Sequence, residues 1–200
     1  MRTSIAALLA GGAVATATVL GGRYSPGPQR PATARWYAAL DKPSWTPSGA
    51  TIGTVWSVVN TCLTVAGTRL LIARPSPQRG QALALWGFNV ASIWAWQSVF
   101  FGARRLGASA AYNAAMIGTG VAYVAAARRV DGLAAAAGVP YPSWVSIAGL
   151  LATQIWQRNR NRSLPAMAGR ETPLDAVLAR KLSPPGPVEA TRRLAARVAA

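Results

Sequence analysis

The stretch Arg35-Trp36-Tyr37-Ala38-Ala39-Leu40-Asp41-Lys42-Pro43-Ser44-Trp45-Thr46-Pro47 lies between two long apolar segments, and it decides how the chain must fold. Trp and Tyr favour the edge of a bilayer, where the ring is in an apolar environment and the N–H or O–H finds a polar partner. Each Pro fixes φ and disfavours helix at the residue before it. We therefore predict a stiff, aromatic connector at the membrane surface, and we call residues 24–50 the connector.

The distribution of charge favours a membrane protein over a nucleic-acid-binding protein. The 200 residues include 21 Lys and Arg but five Asp and Glu, which gives a net charge of +16. Long stretches carry no charge, and the basic residues gather in the gaps between them. Helical membrane proteins with basic loops have this pattern, and the positive charge suits an anionic bilayer surface. We predict the lipid bilayer as a partner and no nucleic acid.

The composition also restricts metal and acid–base chemistry. The sequence has no His, which excludes His-ligated zinc, non-haem iron and haem. The five acidic residues leave few groups for a metal site or for general acid–base catalysis. Cys62 is alone within an apolar run, which is typical of a small buried hydrophobic residue and excludes a disulfide within the chain. We predict no metal site and no required cofactor.

Five apolar segments are long enough to cross a bilayer as helices. The first could instead be a signal peptide cleaved after Ala13-Val14-Ala15, but its apolar run continues through Val19-Leu20, which favours a retained helix. The sequence therefore predicts an all-α membrane protein, a five-transmembrane-helix bundle within residues 1–160. The predicted spans are residues 3–22, 51–72, 81–101, 108–127 and 141–157.

The loops predict an orientation. The connector side carries more basic residues than the opposite side, so the positive-inside rule places the N-terminus outside and the C-terminus in the cytoplasm. The high Ala and Arg content is typical of a GC-rich bacterial genome, which makes a bacterial plasma membrane the expected location. We expect the basic tail, residues 161–200, to be disordered or to lie on the membrane surface.

Two helix faces are candidates for packing or binding. Asn89, Ile93, Trp96 and Phe100 share one face of the third span, and Asn89 needs a polar partner in lipid, so this face should point inward. A hydrogen bond between packed helices would by itself explain why this position is Asn, without a ligand. In the fourth span a ridge of small residues repeats every four positions and would serve either dimerisation or internal packing. The ridge consists of Ala110, Ala114, Gly118, Ala122 and Ala126.

Ordered motifs in the sequence resemble those of the tryptophan-rich sensory protein family, TspO, which includes the mitochondrial translocator protein. The resemblance covers about residues 5–160 and includes the five-span count. Its motifs are the connector stretch 36–47, Val55-Trp56-Ser57, Trp96-Gln97-Ser98-Val99-Phe100-Phe101-Gly102, Pro140-Tyr141-Pro142-Ser143-Trp144-Val145 with Ala148, and Ile155-Trp156-Gln157-Arg158-Asn159.

The resemblance implies a usually dimeric membrane bundle that binds porphyrins and haem-like tetrapyrroles, or other apolar ring ligands, with the first connector closing over the pocket as a lid. Basic connector residues would attract the porphyrin propionates, and tryptophan faces would hold the ring. The expected ligand-binding residues are Trp36, Lys42, Pro43, Trp45, Trp56, Asn89, Trp96, Phe100, Trp144 and Ala148.

Three functions remain open from the sequence. The first is a receptor or carrier for tetrapyrroles without obligatory chemistry. The second is a light- and oxygen-dependent enzyme that degrades protoporphyrin, for which the resemblance makes Trp45 and Trp144 the catalytic candidates. The third is a membrane scaffold that acts through its basic tail.

The sequence also departs from the family pattern. Ser48 replaces a usual Pro, and Ile93 and Ala152 replace usual Asn residues. These changes predict a looser lid and fewer hydrogen bonds to a polar ligand.

Overall fold

The computed structural model describes residues 2–161, and the regular elements within them are helices. α1, α3, α4, α5 and α7 are long, whereas α2 and α6 are short, and a π-helical turn extends α4. The bounds are α1 Thr3–Gly22, α2 Pro31–Ala39, α3 Gly49–Ile72, α4 Pro77–Gln97, the π turn Ser98–Gly102, α5 Leu106–Arg128, α6 Gly132–Gly138 and α7 Pro140–Asn159. The predicted tail, residues 161–200, lies outside the described residues except at its first position.

Local sequence chemistry sets where three helices begin. The side chains of Ser48, Ser76 and Asp131 accept hydrogen bonds from backbone N–H groups in the first turns of α3, α4 and α6. Such caps satisfy donors that have no partner inside the helix. Pro lies in the first turn of α2, α4 and α7, where its missing N–H costs nothing and its fixed φ suits the helix.

Four helical segments in the described part of the chain are long and apolar enough to cross a membrane. They are α1, α3, α5 and the run Gly132–Asn159, which joins α6 and α7. The prediction of an all-α membrane protein is therefore confirmed. The third predicted span, residues 81–101, is not among the four because α4 contains Gln, Arg and Asn side chains that lower its mean hydropathy. The five-span count therefore stays a prediction.

α4 lies against α1, α3 and α5, which explains how it tolerates polar groups. Asn89, Ser92 and Ile93 are buried. The side-chain N–H of Trp86 donates to the carbonyl of Leu63 on α3 at 2.9 Å. Gly67 makes room for this ring, because a Cβ there would lie 2.5 Å from the nearest Trp86 atom. The predicted inward direction of the Asn89 face is confirmed.

α5 packs along α7 through small residues that differ from the predicted ridge. A Cβ on Gly120 would lie about 3 Å from Pro142 and Tyr141, and one on Gly149 would lie 3.3 Å from Asn113. In the ridge, by contrast, Ala114, Gly118 and Ala122 are exposed. Internal packing therefore does not explain these three positions, and dimerisation remains open.

An ion pair joins α3 to the start of α6. Arg69 donates from Nε and Nη2 to the carboxylate of Asp131, and the shortest of these distances is 2.6 Å. The same carboxylate caps α6 by accepting from the N–H of Ala134 at 2.7 Å. The guanidinium holds the pKa of Asp131 below its usual range through this hydrogen bond.

Candidate functional site

The connector lies over the ends of α4 and α7 through its short helix α2. Trp36 and Leu40 are spaced by four residues, so they share one face of this segment. Both are about 4% exposed, and they pack in one apolar cluster with Phe100, Leu106 and Ile155. We call these five residues the connector cluster. It fixes the connector against the helical unit.

The π turn aims two aromatic rings at the connector. The N–H of Ala103 donates to the carbonyl of Ser98 at 2.7 Å, which closes the wider turn. The widened turn changes the angular spacing of side chains, and Phe100 and Phe101 both meet the ring of Trp36, at centroid distances of 5.8 and 6.5 Å. Edge-to-face contacts of this kind add specificity to apolar packing. Such turns inside α-helices are frequent at functional sites.

Trp96 packs against both the connector cluster and a second, larger apolar cluster, which we call the main core. The main core is formed by residues of the long helices and α6, among them Leu63, Trp86, Tyr123 and Tyr141. Its ring stacks on Phe100 with centroids 4.9 Å apart and an angle of 18°. Its N–H donates to the carbonyl of Ser109 on α5 at 3.1 Å, which sets the direction of the ring. Trp56 and Trp144 are partly buried against the main core, as is Trp96. The structure therefore distributes these predicted residues over two adjoining apolar clusters.

Trp144 carries a buried donor that has no acceptor within residues 2–161. Its Nε1 atom has no hydrogen-bond partner among the described residues. Buried polar groups are nearly always paired, and leaving one unpaired costs about 1–3 kcal/mol. Ala148 follows one turn later on α7 and is partly buried. Two buried amide atoms, of Asn60 and Asn113, also have no partner among residues 2–161, but they lie outside the predicted ligand-binding set.

Asn89 is fully buried and its amide is committed to helix packing. Nδ2 donates to the carbonyls of Leu85 and Thr119 at 2.8 and 3.2 Å, and Oδ1 accepts from the hydroxyl of Thr119 at 2.9 Å. The hydroxyl of Tyr141 donates to the Asn89 carbonyl at 3.3 Å. These bonds account for Asn89 without a ligand, so its place in the ligand-binding set stays a prediction.

Lys42 terminates α2. Its Nζ lies 2.7, 3.3 and 3.0 Å from the carbonyl oxygens of Tyr37, Ala38 and Leu40, which uses all three ammonium donors. Burial lowers the pKa of Lys42, and the charge of Asp41 partly opposes this. Pro43, the next residue, is buried. The geometry thus gives Lys42 a structural task that the sequence did not suggest.

Another cation lies against the connector. The guanidinium carbon of Arg104 is 5.4 Å from the centroid of the Trp36 ring, within range of a cation–π interaction. Arg104 has φ of 54°, a left-handed conformation that strains residues other than glycine. The strained backbone directs this side chain over the ring. Sequence analysis did not single out Arg104 as a site residue.

Trp45 lies at the outer edge of the connector and is 42% exposed. Its N–H donates to Oε1 of Gln154 on α7 at 3.1 Å. Nearby, the buried side chain of Asn159 bonds to the backbone of Asp41. No motif pointed to Gln154, whereas Asn159 closes the Ile155–Asn159 motif, which was a signal that this part of α7 matters.

The predicted ligand-binding residues do not lie at one place. Trp36 and Phe100 belong to the connector cluster, Trp96 packs against both clusters, and Trp56 and Trp144 pack against the main core. Ala148 is partly buried on α7, one turn after Trp144. Lys42, Pro43 and Trp45 lie on the connector, and Asn89 is deeper in α4. Two open grooves, of about 450 and 410 Å³, lie elsewhere, between α4 and α5 and between α1 and α3, and neither is lined by a predicted residue.

The chain is similar to known proteins. The model of the TspO/MBR family matches residues 7–157. The chain is 31% identical to the translocator protein of Ovis aries over 131 residues, 64% of this chain and 77% of that protein. It is 30% identical to the tryptophan-rich sensory protein of Cereibacter sphaeroides over 127 residues, which are 64% of this chain and 78% of that protein. Protein CrtK of Rhodobacter capsulatus is 29% identical over 148 residues, which are 74% of this chain and 88% of that protein.

Proposed function

This chain belongs to the TspO/MBR family, and on that premise we propose that it binds porphyrin- or haem-type tetrapyrroles in sensing or transport. The protein is an integral membrane protein, with helices long and apolar enough to span a bilayer. The names of its relatives, translocator and sensory protein, support a role in binding or carrying a small molecule.

The observation that carries this proposal is the buried N–H of Trp144, which has no acceptor among residues 2–161 and belongs to the predicted ligand-binding set. A ligand with a polar edge and flat apolar faces would supply the acceptor and stack on the indoles of Trp56, Trp96 and Trp144. A tetrapyrrole has both features. The sequence contains no His, so this protein would hold the ring by its faces and edges without imidazole ligation of iron.

We further propose a five-span bundle in a bacterial plasma membrane, with the N-terminus outside. In this bundle α4 crosses the membrane in addition to the four apolar segments and is the third span in chain order. The connector, with Arg30 and Arg35, and the neighbouring Arg23 and Arg105 would then lie at the cytoplasmic surface, as the positive-inside rule requires. The exposed small residues of α5 support a homodimer, because Ala114, Gly118 and Ala122 would let a second helix approach closely.

The test is a titration of purified protein in lipid nanodiscs with protoporphyrin in the dark, followed by tryptophan fluorescence. The eight Trp residues give a strong signal. Empty nanodiscs give the contribution of porphyrin that dissolves in lipid, and protoporphyrin dimethyl ester tests whether the carboxylates matter.

Saturable quenching above the empty-disc background is the expected result, and its absence would contradict tetrapyrrole binding. The same samples are then illuminated, with the porphyrin spectrum as the readout. Loss of the Soret band faster than in empty discs would show a degrading activity, whereas an unchanged spectrum with saturable quenching would support a receptor or carrier.

A further inference from the structure

The side chain of Asn159 pairs with the peptide groups of Asp41 on the connector, 118 residues away in sequence. Its Oδ1 accepts from the Asp41 N–H at 3.0 Å, and its Nδ2 donates to the Asp41 carbonyl at 2.9 Å. Nδ2 also donates to the carbonyl of Ile155 at 2.7 Å, which fixes the amide orientation within α7. Asn159 is 3% exposed, and its two bonds to Asp41 are partly buried, so water has limited access to them.

The other contacts between this part of the connector and α7 are weaker. Trp45 and Gln154 bond at an exposed position, where water can replace either partner at little cost. Arg158 lies 3.6 Å from the Asp41 carboxylate, but both side chains are 40% exposed or more. Exposed ion pairs of this kind contribute little to stability. Among the polar contacts given for residues 2–161, the bonds of the buried Asn159 side chain are therefore the principal attachment of the connector to α7.

The attachment lies beside the predicted ligand-binding residues. Asp41 directly follows Leu40 of the connector cluster and precedes Lys42 and Pro43. Ile155, whose carbonyl orients the Asn159 amide, is itself a member of that cluster. Breaking the two bonds to Asp41 would leave Oδ1 of the buried Asn159 side chain without a donor among residues 2–161. Outward movement of the connector at Asp41 therefore requires release of the Asn159 amide.

We infer that Asn159 is a positioning residue that holds the connector closed on α7 and so sets the rate at which ligand enters and leaves. The inference rests on the proposed function, because a gate requires a ligand. The attachment itself does not depend on that ligand and can be measured without it.

The first arm of the test is hydrogen exchange of ligand-free protein in nanodiscs. In Asn159→Leu the Asp41 amide loses its acceptor, and we expect its exchange to accelerate about tenfold or more, since two partly buried hydrogen bonds are lost. Gln157→Leu is the matched control, because Gln157 is exposed on the same turn of α7. Unchanged exchange at Asp41 in Asn159→Leu would overturn the inference.

The second arm measures protoporphyrin association and dissociation rates by stopped-flow fluorescence. Asn159→Leu should raise both rates by a similar factor of about ten and change Kd much less, because a gate acts on entry and exit alike. A residue that only contacts ligand would change mainly the dissociation rate. Faster Asp41 exchange with unchanged rates would overturn the gating role.

The two proposals fail in different ways. If wild-type protein does not bind protoporphyrin, the proposed function fails while the exchange arm still decides whether Asn159 holds the connector. If Asn159→Leu does not fold, Asn159→Gln replaces it. This variant keeps the amide but moves it by one methylene, and we expect the same changes at a smaller magnitude.

Discussion

The N–H of Trp144 is buried and has no acceptor among residues 2–161, which lowers the stability of the folded protein. Only a partner from outside these residues can remove this free-energy cost. In Trp144→Phe the donor is lost while an aromatic face remains. If a ligand accepts from this N–H, the variant should bind protoporphyrin about 2- to 10-fold more weakly, which corresponds to one net hydrogen bond. Fluorescence titration measures the change in Kd.

The matched control is Trp94→Phe, since Trp94 is 39% exposed and lies outside the predicted set. It should leave Kd unchanged. Equal affinities of wild type and Trp144→Phe would show that no ligand acceptor meets this N–H, and the observation behind the proposed function would lose its force.

Asp131 combines two stabilising roles that substitution can separate. Asp131→Asn keeps a side-chain oxygen that can cap α6 but loses the ion pair with Arg69, whereas Asp131→Ala loses both. We expect Asp131→Asn to lower the unfolding free energy because the ion pair is lost, and Asp131→Ala to lower it by about 1 kcal/mol more because the cap is lost as well. Chemical denaturation at pH 7 measures both costs.

The lowered pKa of Asp131 should make the stability of the protein depend on pH. Arg69 lowers the pKa of Asp131 in the folded protein, so the stabilisation is present above the unfolded pKa and is lost as pH falls through the folded pKa. Below about pH 4, wild type should therefore approach the stability of Asp131→Asn. A difference between the two proteins that stayed constant down to pH 2 would contradict the ion-pair explanation.

At the scale of elements, α3 and α4 approach each other because Gly67 has no side chain. A methyl group there would lie 2.5 Å from the Trp86 ring, whose N–H is fixed to Leu63. We expect Gly67→Ala to lower the unfolding free energy by about 1–3 kcal/mol through overpacking. Thermal unfolding in detergent would show this as a lower Tm.

Gly53→Ala is the control within the same helix. A Cβ at Gly53 meets nothing within 4 Å, so the substitution should leave Tm unchanged or raise it through helix propensity. If both variants unfolded at the same temperature, the close approach of α3 and α4 at Gly67 would not stabilise the fold.

Elements that follow apolar runs were predictable, while those made by packing were not. The predicted spans 51–72, 108–127 and 141–157 agree with α3, α5 and α7 to within a few residues, because Pro and Arg mark their ends. α2 and α6 were missed because nine and seven residues are too few to show a helical period. The π turn was missed because its geometry depends on how Phe100 and Phe101 meet the connector.

For the candidate site, the sequence predicted which residues to consider but not how they are arranged. The motifs named Trp36, Trp96 and Trp144, but they did not show that Trp96 would join two clusters. Lys42 looked like a ligand for carboxylates, yet it caps α2, since its four-carbon chain reaches three carbonyls of its own segment. The Asp41–Asn159 pair joins residues far apart in sequence and has no local pattern.

At the scale of the molecule, α4 decides whether the bundle crosses the membrane five times. Its 21 residues extend about 31 Å, which matches the hydrocarbon thickness of roughly 30 Å. Its buried polar side chains, Asn89 and Ser92, bond to protein groups, as Asn89 does with Thr119, so α4 need not be as apolar as a lipid-facing helix. We therefore expect the residues before and after α4 and its π turn to lie on opposite sides of the membrane.

Single cysteines test this expectation in a Cys62→Ala background, which removes the one native thiol. Pro75→Cys lies before α4 and Ala103→Cys lies after the π turn, and both positions are exposed. In intact cells a membrane-impermeant maleimide should label Pro75→Cys, and Ala103→Cys should react only after permeabilisation, because the proposed orientation places the connector side in the cytoplasm. The reverse pattern would keep five spans but invert the protein, whereas labelling of both from one side would mean that α4 does not cross.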